Sequence, residues 1–478
     1  MQKWISIIVM LILISACASF TPTIRPDSPL EIPLQYSMYA EGKSGSDHWW
    51  EAFDSRELNR LVETALSGNF DIKTAWARLQ QADALARQAG ARLMPTVDFD
   101  VSGDISRYQT KTSPHTDGVI SEEKSLYAGL AASYEVDFWG RLRAKRQSEI
   151  LNFQAAREDL ESAAMTVTAS VVETWVNILA TCKQIAILKD QIRTNQTLLD
   201  LEKFHFVNGK SQALDVSQQR EALAAAKAQL PGLQLAERQY RSSLGVLLGR
   251  AIAADLETQQ ASMPELIPLP ATGLPADLLA ARPDVRAAGL RLQSADWAIS
   301  AARADRLPNI TLSTQAAFSS GSLNLLFDNW ITVLAGSITG PLFDAGSRKA
   351  EVDRTRAVAE EYLAAYAQTV AEAIREVEDN LAAEVRQQEY ISLLQDQLNA
   401  ARVTLKDARL QYLNGKSDYL SYLTALNGVQ SLEQQMVVET ATQIKYRVTL
   451  YRVLGGNWID SPLAGNAPAD RNTASAEN

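Results

Sequence analysis

One sequence pattern occurs twice along this chain, and few folds accommodate such a duplication. Residues 70–75 (FDIKTA) match residues 283–288 (PDVRAA) at an offset of 213. Residues 208–211 and 414–417 both read NGKS, at an offset of 206. The offset therefore falls by seven residues between the two matches, and a deletion of that size costs least in a surface loop. The fold must be one that two copies of a single unit build together.

Each copy predicts the same order of elements. A first helix ends before a proline, because the residue preceding proline avoids the α region. A β-hairpin follows, and then a long helix turns at an Asn-Gly pair, which supplies the positive φ that a reversal needs. A second helix returns. The predicted bounds are 58–93, 97–137, 141–207 and 212–248 in the first copy, and 283–306, 309–340, 346–413 and 418–454 in the second.

The hairpins alternate between apolar and polar side chains, most clearly at residues 97–104. Val97, Phe99 and Val101 point one way, and the polar face carries Asp98, Asp100, Ser102 and Asp104. This alternation is typical of a membrane β-barrel strand, and equally of a half-buried hairpin in a soluble sheet. Four strands cannot close a barrel. A membrane barrel would therefore need several chains, since open sheet edges are not tolerated in lipid.

The acidic side chains of this polar face have two interpretations. Asp98, Asp100 and Asp104 could line a lumen and bias it toward cations. An ordinary polar barrel interior explains them equally well.

The helical tracts are too polar to span a membrane and too long for a compact domain. At about 1.5 Å per residue, the longest tracts would extend on the order of 100 Å. The spacing of their Ala, Leu and Val residues indicates antiparallel coiled-coil packing. A simple coiled-coil rod is the alternative, but matched β-hairpins would not interrupt its repeats.

The N-terminus predicts export and lipid attachment. Lys3 precedes an apolar run, residues 5–14, which is long enough for a signal-peptide core and too short for a spanning helix. The run ends in ISAC, residues 14–17, which resembles the bacterial lipobox. Residues 1–16 are therefore predicted to be a signal peptide, and Cys17 to be acylated. An ordinary secretory signal with a chance cysteine is the alternative. By the same resemblance, Ala18 favours the outer over the inner membrane.

The remaining segments are predicted as connections between and around the two repeats. Residues 17–57 are predicted to be a lipid-anchored linker, residues 250–280 a Pro-rich connector between the repeats 58–249 and 281–455, and residues 456–478 a C-terminal tail.

Several classes of function are excluded or disfavoured. A net charge of −10 and a pI near 5.1 argue against a nucleic-acid surface. Cys182 is the only other cysteine, so no disulfide framework is expected. No nucleophile elbow, phosphate loop or dinucleotide fingerprint occurs. His48, His115 and His205 are too far apart in sequence for a metal site. We predict no enzyme activity and no cofactor beyond the lipid, and we attribute the many acidic residues to solvated helix faces.

Four motifs resemble the TolC family of outer-membrane factors, and within it the OprM-like, NodT-type lipoproteins. They are YEVDFWGRLR at 134–143, ARPDVRAA at 281–288, LPNI at 307–310 and PLFDAG at 341–346. The resemblance implies a mostly α-helical fold with a membrane β-barrel. Three chains would close a twelve-stranded barrel above a periplasmic helical tunnel, and the connector and tail would form an equatorial belt around it.

This resemblance implies the outer-membrane channel of a tripartite, RND-type efflux system. The partners would be two further copies of the chain, a periplasmic adaptor protein and an inner-membrane pump, with no nucleic acid. The alternatives are a lipid-anchored periplasmic coiled-coil scaffold without a pore, and the export duct of a type I secretion system.

The same resemblance assigns roles to the helix tips. Adaptor docking would involve both Asn-Gly turns, at Asn208, Gly209, Lys210, Asn414, Gly415 and Lys416. A periplasmic gate would involve Asp215, Tyr412 and Asp418. The sequence departs from the family pattern at Ser421 and Thr424, where relatives often carry Asp, and at Ser417, which occupies the basic gating position.

Overall fold

The computed structural model describes residues 20–22, 32–37, 48–111, 117–251, 262–273 and 275–455. The predicted signal peptide 1–16, the lipidation site Cys17, the loop residue His115 and the predicted tail 456–478 lie outside the described residues.

Among the described residues, seven long helices and four strands follow one another in two matching sets. In the first repeat they are α1 (Arg56–Gly68), α2 (Phe70–Ala91), β1 (Thr96–Thr110), β2 (Val119–Val136), α3 (Arg141–Val207) and α4 (Ala213–Leu247). In the second they are α5 (Pro283–Ala304), β3 (Asn309–Ser320), β4 (Trp330–Thr339), α6 (Ser347–Leu413) and α7 (Tyr419–Leu454). Short helical segments at Trp49–Phe53, Pro275–Asp277, Leu278–Ala281 and Leu323–Asp328 complete the set. The predicted fold class, mostly helical with four β-strands, is confirmed.

The predicted first helix, 58–93, is wrong as a single element, because the chain breaks it at Asn69. Asn69 adopts an extended backbone with φ −61° and ψ 138°. Its Oδ1 accepts hydrogen bonds from the backbone N–H groups of Asp71 at 2.8 Å and Ile72 at 3.2 Å. Asn69 is therefore the N-cap of α2, and its side chain satisfies N–H groups that the first helical turn leaves free.

Both repeats close on themselves through equivalent contacts. The Nδ2 group of Asn69 donates to the carbonyl of Leu247 at 2.9 Å, at the end of α4. In the second repeat, Arg282 Nη1 donates to the carbonyl of Val453 at 3.2 Å, near the end of α7. The two donors are separated by the offset 213 and the two acceptors by the offset 206. The duplication read from the sequence is thus a duplication of tertiary contacts.

A glycine follows each of these helix ends and permits the close approach. Gly249 has φ +73° and Gly455 has φ +77°. A Cβ on Gly249 would lie 2.2 Å from the carbonyl oxygen of Gly68, and a Cβ on Gly455 would lie 2.5 Å from that of Ala281. Both the dihedral angle and the missing side chain are therefore required.

Parts of the predicted linker 17–57 pack against the helices, so the expectation of an extended linker is wrong for them. The Trp49 side chain is 2% exposed and stacks on Tyr451 with ring centroids 5.3 Å apart. Phe53 packs edge-on against the buried Trp175. Further upstream, the backbone N–H of Ser37 donates to Glu378 at 2.7 Å. Burial of these large aromatic side chains favours packing of the segment against the helices, although polar residues flank them.

The described part of the connector is also fixed to a helix. Ile267 is buried, and its carbonyl accepts a hydrogen bond from Arg447 of α7. The hydroxyl of Tyr451 donates to the carbonyl of Pro268 at 3.0 Å. Arg447 also pairs with Glu384, and both side chains are buried.

The four strands form one antiparallel sheet in the order β1-β2-β3-β4. In the YEVDFWGRLR motif, Asp137 accepts hydrogen bonds from the backbone N–H groups of Leu142 and Arg143, both at 2.9 Å, and so caps α3. Trp139 Nε1 donates to the carbonyl of Pro308 at 2.8 Å. The motif therefore ties the strand-to-helix junction of the first repeat to the helix-to-strand junction of the second.

The described chain separates into two compact units, and each draws on both repeats. One contains the sheet and comprises the described residues within Met1–Pro29, Arg78–Arg157 and Ala287–Ala367. The other comprises the described residues within Leu30–Ala77, Glu158–Arg286 and Gln368–Asn478. The boundaries between the units fall inside the helices, so the repeats and the compact units divide the chain differently.

The closing contacts make a direct stability prediction. Gly249→Ala and Gly455→Ala should each lower the free energy of unfolding by at least about 1–2 kcal/mol, because the positive φ at each position strains an L-residue by about that much. Thermal unfolding followed by helical circular dichroism measures the loss. The matched control is Gly232→Ala within α4, where a Cβ meets open space, and a gain of roughly 0.5–1 kcal/mol is expected. Equal melting temperatures for all three variants would contradict this account.

Candidate functional site: the sheet faces and the helix tips

The strand register separates apolar and polar side chains onto opposite faces of the sheet. Phe99 pairs with Leu130, which pairs in turn with Ala316. Phe99 is 80% exposed, and Leu334 on β4 is 84% exposed. An apolar surface of this extent on a soluble monomer marks an interaction or membrane surface. The side chains of this apolar face include Val97, Phe99, Val101, Ile105, Leu130, Ala132, Leu312, Ala316, Phe318, Trp330, Leu334 and Ile338.

The opposite face begins polar and becomes apolar toward β4. Asp98, Asp100 and Asp104 share this polar face of β1, as their spacing predicts. Gln315 on β3 lies in the same row as Asp98 and donates to the hydroxyl of Tyr127. On β4 the row ends in Val333. The alternation of apolar and polar side chains is therefore weakest in the last strand, β4.

The two helix tips have the same backbone geometry. Gly209 has φ +66° and Gly415 has φ +68°. At the first tip the N–H of Lys210 donates to the carbonyl of His205 at 2.8 Å, and at the second the N–H of Lys416 donates to that of Gln411 at 2.8 Å. These bonds, with glycine in the left-handed region, end the long helices in the way typical of glycine C-caps.

The asparagines and nearby apolar side chains complete both tips. The side chains of Asn208 and Asn414 each donate to the carbonyl four residues earlier, both at 2.7 Å. Exposed apolar side chains surround the turns, namely Phe204, Phe206, Val207, Leu214, Leu410, Leu413 and Leu420.

Tyr412 joins the ends of the two long helices through a buried carboxylate. Its hydroxyl lies 2.9 Å from both carboxylate oxygens of Glu202. Glu202 is 1% exposed. The Nδ1 of His205 lies 3.9 Å from Glu202. The Tyr412 ring stacks on Tyr422 of α7, with centroids 6.0 Å apart.

A second buried hydrogen-bond chain lies beside this contact. The hydroxyl of Tyr419 donates to Gln219 at 2.6 Å. Gln219 in turn donates to the backbone carbonyl of Asn195 at 2.8 Å. Three helices, α3, α4 and α7, are thereby linked through side chains that would be costly to leave unpaired.

Burial perturbs the titration of the central pair. Desolvation raises the pKa of Glu202 above its ordinary value, and the hydrogen bond from Tyr412 only partly opposes this. Desolvation and the neighbouring carboxylate of Glu202 raise the pKa of Tyr412. The tyrosine therefore remains a neutral donor at physiological pH.

The predicted gate acids cap helices in this structure. Asp215 accepts from the N–H of Gln212 at 2.8 Å, in a capping box at the start of α4. Asp418 is the N-cap of α7 and accepts from the N–H of Ser421 at 3.0 Å. Tyr412 instead bonds to Glu202, which the sequence interpretation placed among solvated acidic residues. That interpretation is wrong for Glu202.

A sequence signal for Glu202 was present. The buried residues of α3 near the tip follow a regular three- and four-residue spacing that runs directly into it. They are Leu188, Gln191, Asn195, Leu199 and Glu202. Such spacing places a residue on the packed seam of a coiled coil.

The sequence profile described as "Outer membrane efflux protein" matches residues 61–250 and 274–456. This chain belongs to that family. Each of the two matched segments corresponds to one of the two repeats.

Characterised relatives cover almost the whole chain. The pyoverdine export outer membrane protein OpmQ of Pseudomonas putida is 32% identical over 459 residues, which span 94% of this chain and 96% of OpmQ. The toluene efflux pump outer membrane protein TtgC of Pseudomonas putida is 29% identical, over 94% of this chain and 92% of TtgC.

Solved structures show the same fold. The outer-membrane channel OprN superposes with a TM-score of 0.83 at 28% identity, covering 91% of this chain and 99% of OprN. CusC superposes with a TM-score of 0.82 at 26% identity, covering 92% of this chain and 100% of CusC. The predictions of a TolC-type fold, an outer-membrane location and an efflux-channel function are confirmed.

Within the described ranges, no group of three or more His, Cys, Asp and Glu side chains is placed to hold a metal ion. Cys182 is half-buried and lies 3.5 Å from Glu237, and burial raises the pKa of its thiol. The family and its relatives are transport proteins.

Removing the tyrosine hydroxyl should loosen the tip of this channel. In Tyr412→Phe the buried Glu202 loses its donor, which should cost about 1.5–3 kcal/mol, the range for hydrogen bonds to charged groups. We expect a lower melting temperature and larger mean conductance in planar bilayers. Tyr362→Phe, an exposed tyrosine on the same helix α6, is the matched control and should behave as wild type. Wild-type conductance in Tyr412→Phe would refute the role of this bond.

The raised pKa of Glu202 also predicts a pH dependence. The folded channel holds this proton to a higher pH than the unfolded chain does, so stability increases as pH falls from the raised pKa toward the ordinary value of 4.5. Glu202→Gln should abolish that increment. The measurement is the change in melting temperature between pH 7 and pH 5, compared with Glu221→Gln, which alters an exposed acid of α4. An unchanged pH dependence in Glu202→Gln would count against the assignment.

Proposed function

We propose that this channel is a homotrimer that acts as the passive exit duct of a tripartite, RND-type efflux system. The observation that carries the proposal is a four-stranded sheet with one apolar face and two unpaired edges, β1 and β4. In hydrocarbon, unpaired backbone groups at a sheet edge each cost several kcal/mol. Three copies supply twelve strands, enough to pair every edge and close a barrel.

The adaptor protein binds at the helix tips in this proposal. Exposed apolar side chains such as Phe204, Val207 and Leu413 surround the two Asn-Gly turns. Such side chains on a soluble surface favour a protein partner. Asn208, Gly209, Lys210, Asn414, Gly415 and Lys416 form the turns themselves. The relatives' names, which specify efflux pumps, support an inner-membrane pump as the third component.

The solute is selected by the pump and not by the duct in this proposal. One relative is named for pyoverdine export and another for toluene efflux, although each matches at least 94% of this chain. Relatives that are similar over nearly the whole chain are therefore named for chemically different solutes.

The tip contacts act as the periplasmic gate. Tyr412 and Glu202 hold the end of α6 against α3, and the nearby charge of Asp215 adds to the raised pKa of Tyr412. Asp418 contributes by fixing the start of α7. When the tip opens, hydrogen bonds to water or to the adaptor protein replace these polar contacts.

Two measurements on purified full-length protein test the duct. Mass measurement in mild detergent should give a trimer, and planar bilayers should show discrete conductance steps. A monomer in detergent, or a trimer that conducts no ions even after Tyr412→Phe opens the tip, would overturn the proposal. The second result would favour a scaffold without a pore.

Lipid attachment at Cys17 has a separate test. Cys17→Ser should abolish labelling by a palmitate analogue, because the thiol is the proposed acceptor. The trimer should still assemble, since burial of the sheet's apolar face anchors it independently. The matched control is Cys182→Ser, which should label normally. Labelling that persists in Cys17→Ser would disprove the attachment site.

A further inference from the structure

A cavity of about 430 Å³ lies in the compact unit that contains the sheet. Four helices, α2, α3, α5 and α6, contribute to its lining. Small apolar side chains form part of the wall, including Ala89, Ala298, Ala301 and Ala302. The volume lies within the range of small-molecule sites, and the small side chains leave room for a flat apolar group.

The charged side chains in and around the cavity are mostly paired with one another. Arg354 forms two hydrogen bonds to Glu351, at 2.7 and 2.8 Å. Arg141 lies 2.7 Å from Glu135 and 3.7 Å from Asp305. Two of the three cavity carboxylates, Glu351 and Asp305, are therefore already neutralised by arginines.

Two further cations in the wall have no such partner. Arg92 and Lys145 form no ion pair with the part of the chain that the structure describes. Burial lowers the pKa of the Lys145 ammonium, and the positive charges of Arg141 and Arg92 lower it further, whereas the carboxylates of Asp305 and Glu135 partly oppose this. Neither cation is held in an ion pair within the described ranges, the two repel each other, and a bound anion would relieve that repulsion.

The third carboxylate limits the charge of the ligand. Glu149 accepts a hydrogen bond from the Asn152 amide at 3.3 Å, and no cation pairs with it among the described residues. A ligand with a second negative group would approach this uncompensated charge, at a cost in binding free energy.

We infer that the cavity binds an organic monoanion, with its carboxylate, sulfonate or phosphate group on Arg92 and Lys145 and its apolar body on the alanine wall. The inference rests on the proposed duct, because the bound anion would be a solute that the duct carries. The Arg141–Glu135 ion pair joins the region of the cavity to strand β2 of the sheet. The site would hold anionic solutes transiently at the junction of strands and helices.

Binding can be measured without any conductance. Full-length protein in lipid nanodiscs is dialysed to equilibrium against 1-naphthalenesulfonate, with empty nanodiscs as the blank. Lys145→Gln and Arg92→Gln should each weaken binding about tenfold, as expected for the loss of one charge-assisted contact. Lys189→Gln, an exposed lysine of the same helix α3 outside the cavity, should bind as wild type. Binding should also weaken between 0.1 M and 1 M salt.

Ligand charge provides the second comparison. The monoanion should bind at least tenfold more tightly than 1-naphthylmethylammonium, which has the same apolar body, and than 1,5-naphthalenedisulfonate. Glu149→Gln should reduce the difference in binding affinity between the monoanion and the dianion. Equal binding of all three compounds, or unchanged affinity in both Lys145→Gln and Arg92→Gln, would overturn the inference. Because dialysis needs no open pore, a non-conducting protein that binds the monoanion as predicted would overturn only the proposed duct.

Discussion

The end of each return helix is held against the beginning of its own repeat, and the remaining architecture depends on this contact. The last turn of a helix leaves carbonyl groups without intrahelical donors. Asn69 donates to one of them in the first repeat, and Arg282 donates to its counterpart in the second. The adjoining Gly249 and Gly455 allow two backbones to approach too closely for a side chain. Each repeat thereby has its beginning joined to its end, and each contributes one hairpin to the common sheet.

The sequence predicted the hairpins and long helices within a few residues, because prolines, glycines and strict alternation mark their ends. The predictions were wrong where tertiary contacts overrode the structure that the local sequence pattern indicated. The helical pattern runs through Asn69 without interruption, yet the side chain of Asn69 caps a new helix. Trp49 lies in a segment predicted to be a linker, yet it is 2% exposed and stacks on Tyr451, so it belongs to the core. Glu202 was assigned to solvent from its charge, although its position in the seam of α3 indicates burial.

The helix tips combine two kinds of interaction with different consequences for movement. Along the helices, burial of apolar side chains such as Leu188 and Leu199 provides nondirectional cohesion. At the tip, Tyr412, Glu202 and Gln219 form directional bonds that are lost as soon as the geometry changes. A region that must open is drawn from the less stable part of a structure. The proposed gate therefore lies where the contacts are directional and where water can replace them.

The different donors at the two closing contacts make the halves of the molecule unequally tolerant of mutation. Asn69 is uncharged, and its loss would leave one carbonyl and two backbone N–H groups to find other partners. Arg282 also pairs with Asp284 and Glu376, so its loss would leave two carboxylates uncompensated in addition to a carbonyl. A partly buried carboxylate without its cation is destabilising, although solvent screens part of its charge. Substitution at this position should therefore be less costly in the first copy of the unit than in the second, where two carboxylates also depend on the arginine.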